Sequence, residues 1–190
     1  MKKDSENIWE VTRSESGPDL GLFKTRYDWA KNPRNAKTIR AVVLESRDWV
    51  NVVALTPAKM ILTVRQFRFG VGRYTLEIPA GIMDAGETPQ QAAMRELKEE
   101  TGCVSDNWRY LGAFDANPAF MNNICHSWLA LDVVRKFPLQ LDEGEEIDLA
   151  EFSLDGIRKE INAGRMRNAL SLAALSQVFD LRIQQGDAGQ

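Results

Sequence analysis

From Thr38 onward, apolar and β-branched residues gather in short runs separated by turn residues. "TIRAVVLES", "WVNVVALTP" and "KMILTVRQFRF" each read as a strand, and "RYTLEIPAG" as a fourth that ends in Pro79 and Gly81. The period then changes. Ala92, Ala93 and Leu97, with Met94 beside them, recur at helical spacing after Pro89. Thr88 before Pro89, and Gln91 three residues after Thr88, supply an N-cap, a proline at the first helical position and a capping-box partner. Gly102 stands where a left-handed C-terminal cap is wanted. Further along, "WRYLGAFDA" and "ICHSWLALDVV" are strand-like, "LDEGEEID" is an acidic loop, and helical runs begin at Ser153 and about Asn168. Residues 1–37, with "IWEV" and "GLFKTRYDWA" among the turn signals "SESGPDLG" and "KNPRN", predict a hairpin or short meander too small to hold its own core. The expected division is an N-terminal β segment over 1–37 and a main domain over 38–190.

Composition narrows the class of function. With 44% hydrophobic and 27% charged residues in 190, the chain has ordinary globular composition for about one domain. Two cysteines, Cys103 and Cys125, make no disulfide framework, and "MKKDSENIWE" holds no apolar leader, so the expected compartment is the cytoplasm. No apolar run approaches the roughly 18 residues of a membrane span. A net charge of −3 argues against a nucleic-acid partner, which calls for a basic excess. One histidine and two distant cysteines support neither a Ser-His-Asp triad nor a zinc site. The expected partner is a small molecule.

The helix carries a local conflict. Glu96, Glu99 and Glu100 lie three and four residues apart and share a face, where each like-charge pair costs roughly 0.2–0.5 kcal/mol in an isolated helix. They also crowd the C-terminal end, where the helix dipole disfavours anions. Arg95 and Lys98 offset part of this. A rule broken so locally, in a segment whose caps and apolar face otherwise agree, marks a functional site. Clustered carboxylates without thiolates or imidazoles suit a hard cation, Mg²⁺ or Mn²⁺, that binds through a few carboxylates plus substrate phosphates.

Gly81, then Glu87, then "RELKEETG" from Arg95 to Gly102 reproduce the spacing of the Nudix box, and the chain resembles the Nudix hydrolase family. Cys103 stands where that family prefers an aliphatic residue. The resemblance implies a Nudix α/β/α sandwich, here with a small N-terminal β segment, that hydrolyses a nucleoside diphosphate linked to a further group with Mg²⁺ or Mn²⁺. Carried onto matching positions, it makes Glu96, Glu99, Glu100 and the carbonyl of Ala80 the metal ligands and Glu99 part of the catalytic set. Arg95 would orient the cluster, Glu87 would pair with Arg95, and Gly81 would permit a tight turn.

Features outside the box resemble the ADP-ribose pyrophosphatase branch. Pro118 falls fifteen residues after Cys103, and "VRQFRF", "YTLEIPAG" and "DEGEEID" look like that branch, although "NPAFMNN" lacks the glycine and acidic residues frequent there. The expected reaction is therefore cleavage of ADP-ribose or a related nucleoside diphosphate sugar into a nucleoside monophosphate and a sugar phosphate. Alternatives are a GDP-mannose-type hydrolase and a non-hydrolysing nucleotide sensor, the latter disfavoured by the intact carboxylates. Arg68, and after it Arg65 on the opposite strand face, are candidate pyrophosphate clamps, because guanidinium forks match phosphate oxygens. By analogy with dimeric relatives, the base that activates water comes from the late loop: Glu145 first, Glu143 second, Glu146 also in view. Trp9, Tyr27 and Trp29 are candidates to stack on the nucleobase, with Pro118 nearby in the substrate-binding set, and the expected assembly is a homodimer.

Overall fold

The computed structural model describes residues 8–141, 143, 144 and 146–182, and these fall into two compact units. The first runs to Arg47 and takes in Asp115–Ile124. In it β1 (Glu10–Asp19), β2 (Lys24–Lys31) and β3 (Thr38–Glu45) form an antiparallel sheet in that order. The loop that carries Pro118 joins this unit through β3: Leu44 N–H donates to the Phe120 carbonyl at 2.7 Å, and Asn122 N–H donates to the Leu44 carbonyl at 3.3 Å. β3 therefore pairs with the N-terminal hairpin along its whole length, from Lys24↔Glu45 to Lys31↔Thr38. Periodicity marks a strand; it does not choose the strand's neighbour.

The second unit comprises Asp48–Phe114 and the chain from Cys125 on. Its elements are β4 (Trp49–Leu55), β5 (Ile61–Arg68), β6 (Arg73–Glu77), β7 (Ala80–Ile82), α1 (Pro89–Thr101), β8 (Cys103–Val104), β9 (Asn107–Asp115), β10 (Ile124–Leu131), β11 (Val134–Arg135), β12 (Ile147–Phe152), α2 (Leu154–Asn162) and α3 (Ala169–Ser176). The main sheet has the order β12-β5-β4-β10-β9, with β6 on β5 and β7 on β4. It is mixed, since β10 runs parallel to β4 while β5 and β7 run antiparallel to it.

Alternation along β4 builds a three-layer sandwich. Val50, Val52 and Ala54 pack with Ala92, Ala93 and Leu97 of α1, whereas Val53 and Leu55 pack with Ile157 of α2 and Ala174 and Leu175 of α3. The expected α/β/α architecture is thus present. Both sheet faces are covered, which is why β4 reads as a nearly continuous apolar run. Met94, placed beside the apolar face in the sequence reading, is exposed instead. Its position on the helix turns it away from the sheet.

Local chemistry fixes both ends of α1. Thr88 Oγ1 accepts from Gln91 N–H, Thr88 N–H donates to Gln91 Oε1 at 2.9 Å, and Pro89 opens the first turn. At the other end Gly102 has φ 69°, its N–H reaches the Lys98 carbonyl, and its own carbonyl accepts from Lys136 and Phe137. A Cβ on Gly102 would lie 2.1 Å from the Phe137 carbonyl oxygen, which is backbone and cannot swing aside. Gly102→Ala combines a left-handed φ with this clash and is expected to destabilise the domain by about 2–4 kcal/mol. Thermal unfolding should show a Tm lower by at least about 4 °C.

Candidate active site

The strand-loop-helix from β6 to α1 brings the acidic residues to one place. β7 pairs with β4, Asn51↔Ala80 and Val50↔Gly81, and lies against α1. Gly81 has no positive φ; it sits in the strand and not in the tight turn expected for it. It is needed for close approach. A Cβ there would lie 2.0 Å from Glu96 Oε1 and 2.3 Å from Oε2, so the missing side chain is the cradle of the Glu96 carboxylate. Glu96 is 9% exposed and Glu100 only 2%, one helical turn apart. Glu100 Oε2 accepts from the Ala80 N–H at 3.0 Å, which ties the helix to the residue whose carbonyl was a candidate ligand.

Arg95 organises the rest, and all five of its N–H donors are engaged. Nε and Nη2 grip Glu87 at 2.9 and 3.0 Å, Nη2 also reaches the Ile82 carbonyl at 2.9 Å, and Nη1 bridges Glu96 Oε1 at 2.7 Å and Glu99 Oε2 at 3.0 Å. Its pKa is raised, chiefly by Glu87, with Glu96 and Glu99 adding to this against the opposing pull of burial. Lys98, expected to help offset the charge, lies over the Phe137 ring at 4.6 Å. Glu87, Glu96 and Glu99 therefore meet one guanidinium, Asp84 lies 3.7 Å from its Nε, and the buried Glu100 carboxylate sits one helical turn beyond Glu96, so carboxylates outnumber the arginine that faces them.

This set fits a hard divalent cation in three respects: every side-chain donor is a carboxylate oxygen, the negative charge exceeds what Arg95 neutralises, and a strand is left bare at Gly81 so that one carboxylate can press against the backbone. The three glutamates do not share a single point. Among the described residues no three acidic, cysteine or histidine side chains are close enough to hold one ion, since Arg95 draws Glu96 and Glu99 to its Nη1 while Glu100 turns to Ala80.

Arg68, the first candidate clamp, sits on β5 opposite Arg73 and makes a two-pronged bond to Glu77: Nε at 3.1 Å and Nη2 at 2.8 Å. Its side chain is 42% exposed, whereas Glu77 is 2% exposed. Burial by itself would raise the Glu77 pKa. Hydrogen bonds and charge from Arg68, with further bonds from Thr75 and Asn168, outweigh burial and hold it below the usual range. Glu77 hence contributes stability that is present above the unfolded glutamate value and is lost as pH falls through the lower folded value. Denaturation from about pH 6 down to about pH 3 should show a steeper loss for the natural chain than for Glu77→Gln.

Arg65 points to the other sheet face, as alternation requires. There it pairs with Asp148 at 3.0 Å and lies over the Tyr74 ring at 4.1 Å, lining a cavity of about 390 Å³ with Arg73, Phe152 and Arg165. Of the late-loop glutamates, Glu143 is exposed in a turn, Glu146 accepts from the Tyr74 hydroxyl at 2.7 Å, and Glu145 lies outside the described residues. Trp9, Tyr27, Trp29 and Pro118 belong to the first unit. Tyr27 and Trp29 share a face of β2, beneath the guanidinium groups of Arg40 and Arg13 at 4.9 and 4.5 Å. Trp9 is exposed just ahead of β1, and Pro118 follows Asn117 in a turn. His126 is satisfied between the Tyr110 hydroxyl and Asp48, at 3.1 and 3.4 Å. Both cysteines are buried free thiols, and burial together with the charge of Asp48 pushes that of Cys125 up to about 12.

Buried polar residues behind the site went unnoticed in the sequence. Glu77 and Asn51 are each embedded in an apolar run, "TLEIP" and "WVNVVAL". A lone polar residue at such a position was the available signal, because burying it demands partners.

Comparison with known proteins agrees with this geometry. The NUDIX domain family matches residues 46–172. The chain is 32% identical to the ADP-ribose pyrophosphatase of Bacillus subtilis (strain 168) over 142 residues, 74% of this chain and 77% of that one. It is also 32% identical to the methanol dehydrogenase activator of Bacillus methanolicus over 155 residues, covering 81% and 83% of the two chains. An ADP-ribose pyrophosphatase of Mycobacterium tuberculosis (strain ATCC 25618 / H37Rv) is 29% identical over 177 residues, 92% of this chain and 84% of that one. Among solved structures, an ADP compounds hydrolase superposes with a TM-score of 0.79 at 21% identity, over 90% of this chain and 91% of that one, and shares the fold. The carboxylate-bearing helix, the strand that cradles it and the match across both together place this chain in the NUDIX domain family.

Proposed function

We propose that the chain hydrolyses the pyrophosphate bond of ADP-ribose or a closely related nucleoside diphosphate sugar, releasing a nucleoside monophosphate and a sugar phosphate. The observation that carries the reading is the crowding of carboxylates on α1, buried at Glu96 and Glu100 and gathered around Arg95 at Glu96 and Glu99. Glu96, Glu99 and Glu100, with the Ala80 carbonyl, would hold Mg²⁺ or Mn²⁺. The chemistry supplied by a bound dication is neutralisation of the diphosphate and of charge gathering on the leaving oxygen. Arg95 keeps Glu96 and Glu99 from swinging away. Arg68, aimed by Glu77, grips the pyrophosphate, and a carboxylate of the late loop, Glu145 or Glu143, takes the proton of the attacking water. Trp9, Tyr27 and Trp29 stack on the base, which fits an N-terminal segment that serves base binding and a cytoplasmic homodimer. Two relatives that carry the name ADP-ribose pyrophosphatase support this choice of substrate.

Turnover of ADP-ribose, ADP-glucose, GDP-mannose and UDP-glucose, measured with Mg²⁺ and with Mn²⁺, tests the proposal. ADP-ribose should be preferred over the guanine and uracil sugars by about a hundredfold in kcat/KM. A preference for GDP-mannose would move the chain to the alternative branch, and tight binding without any hydrolysis would make it a sensor.

A further inference from the structure

We infer that Asn168 is a positioning residue for the pyrophosphate clamp: through Glu77 it fixes the aim of Arg68. This rests on the reading of Arg68 given above. Among the described residues, Glu77 receives four side-chain donors, namely Nε and Nη2 of Arg68, Oγ1 of Thr75 at 2.5 Å and Nδ2 of Asn168 at 3.0 Å. Three of these come from the β5–β6 hairpin itself. Only Asn168 comes from elsewhere in the chain, 91 residues away.

Asn168 has two separable tasks. Its Oδ1 caps α3 by accepting from the Ser171 N–H at 2.9 Å, while its Nδ2 donates to Glu77 Oε2. The orientation of the amide follows from its partners, since a carboxylate cannot donate and an N–H cannot accept. The remainder of the first turn of α3 is stitched to the same strand end. Ser171 Oγ accepts from the Ile78 N–H at 3.3 Å, and Asn51 Nδ2 donates to the Leu170 carbonyl at 3.2 Å. Asn51 in turn opposes Ala80 in the β4–β7 pairing. The start of α3 thus holds the Ile78 N–H directly and the partner of Ala80 through Asn51, and among the described residues Asn168 is what joins it to the carboxylate that binds Arg68.

The Glu77 carboxylate has several lone-pair positions, and two bonds from one guanidinium fix a direction only if the carboxylate itself is held. Thr75 holds Oε1 and Asn168 holds Oε2, the same two oxygens that Arg68 grips. Without the Asn168 donor, Glu77 keeps its charge and its arginine but gains freedom to rotate, and Arg68 moves with it. Misaim lowers kcat more than it raises KM, because the charge that attracts substrate remains.

Asn168→Ser separates the two tasks, since serine is a good N-cap but lacks the amide donor. Asn168→Asp also keeps the cap and sets an acceptor against Glu77. With Tm near that of the natural chain, Asn168→Ser should lower kcat about tenfold with little change in KM, and Asn168→Asp should lower it further. The cycle with Arg68→Lys, which retains the charge but not the two-pronged bond, is decisive. If Asn168 acts through Arg68, Asn168→Ser has little further effect on Arg68→Lys; multiplied losses, or a natural rate for Asn168→Ser, overturn the inference while the clamp stands. Full turnover by Arg68→Lys removes the clamp reading and this inference with it. Failure of both Asn168 variants to fold would assign the residue to the scaffold and also overturn it.

Discussion

Glu100→Gln is expected to lower kcat by about 10²–10³ while leaving the fold intact. Glu100 is almost wholly buried, and its Oε2 accepts from the Ala80 N–H. Glutamine has the same shape and a carbonyl oxygen that can take over this bond, so the strand-helix contact survives. What goes is one of the charges that exceed the capacity of Arg95. If that surplus exists to hold a dication with its diphosphate, removing one of its buried charges strikes catalysis directly. Steady-state kinetics alongside a melting curve read both effects, and a natural rate with a natural Tm would show that Glu100 only ties β7 to α1.

Gly81→Ala should separate activity from stability more sharply. The added Cβ would fall 2.0 Å from Glu96 Oε1 and 2.1 Å from Cδ. Those atoms end a flexible side chain, and the backbone at Gly81 has no left-handed φ, so the protein accommodates the methyl by pushing the carboxylate aside. The stability change should stay within about 1 kcal/mol. Displacing a reacting-site group by an ångström or more should lower kcat/KM about a hundredfold. A stable and fully active Gly81→Ala would mean that the place of Glu96 against β7 is incidental.

These two substitutions show what the sequence could and could not convey. The caps of α1 were legible at Thr88, Gln91 and Gly102 because each bonds to a backbone group within four residues. The crowding of Glu96, Glu99 and Glu100 was legible for the same reason, as helical spacing alone brings them together. The role of Gly81 was not, since the atom that needs its space belongs to Glu96, fifteen residues further on, and only the packing of β7 on α1 joins them. Lys98 was credited to the cluster on spacing, but the Phe137 ring offered it another partner from across the chain. β3 was recognised as a strand, while its pairing with β2 was a tertiary choice. Arg68 was singled out for its guanidinium, yet its partner Glu77 and the Asn168 behind it emerge only once β6 and α3 meet.

The most direct test of the central claim is Mn²⁺ binding followed by the loss of the free-ion electron paramagnetic resonance signal, with a non-hydrolysable ADP-ribose analogue present. The natural chain should take up Mn²⁺, and a variant with Glu96, Glu99 and Glu100 all changed to glutamine, folded by its melting curve, should leave the ion free. Equal uptake by both chains, or none by the natural one, would contradict the assignment of these glutamates to a metal.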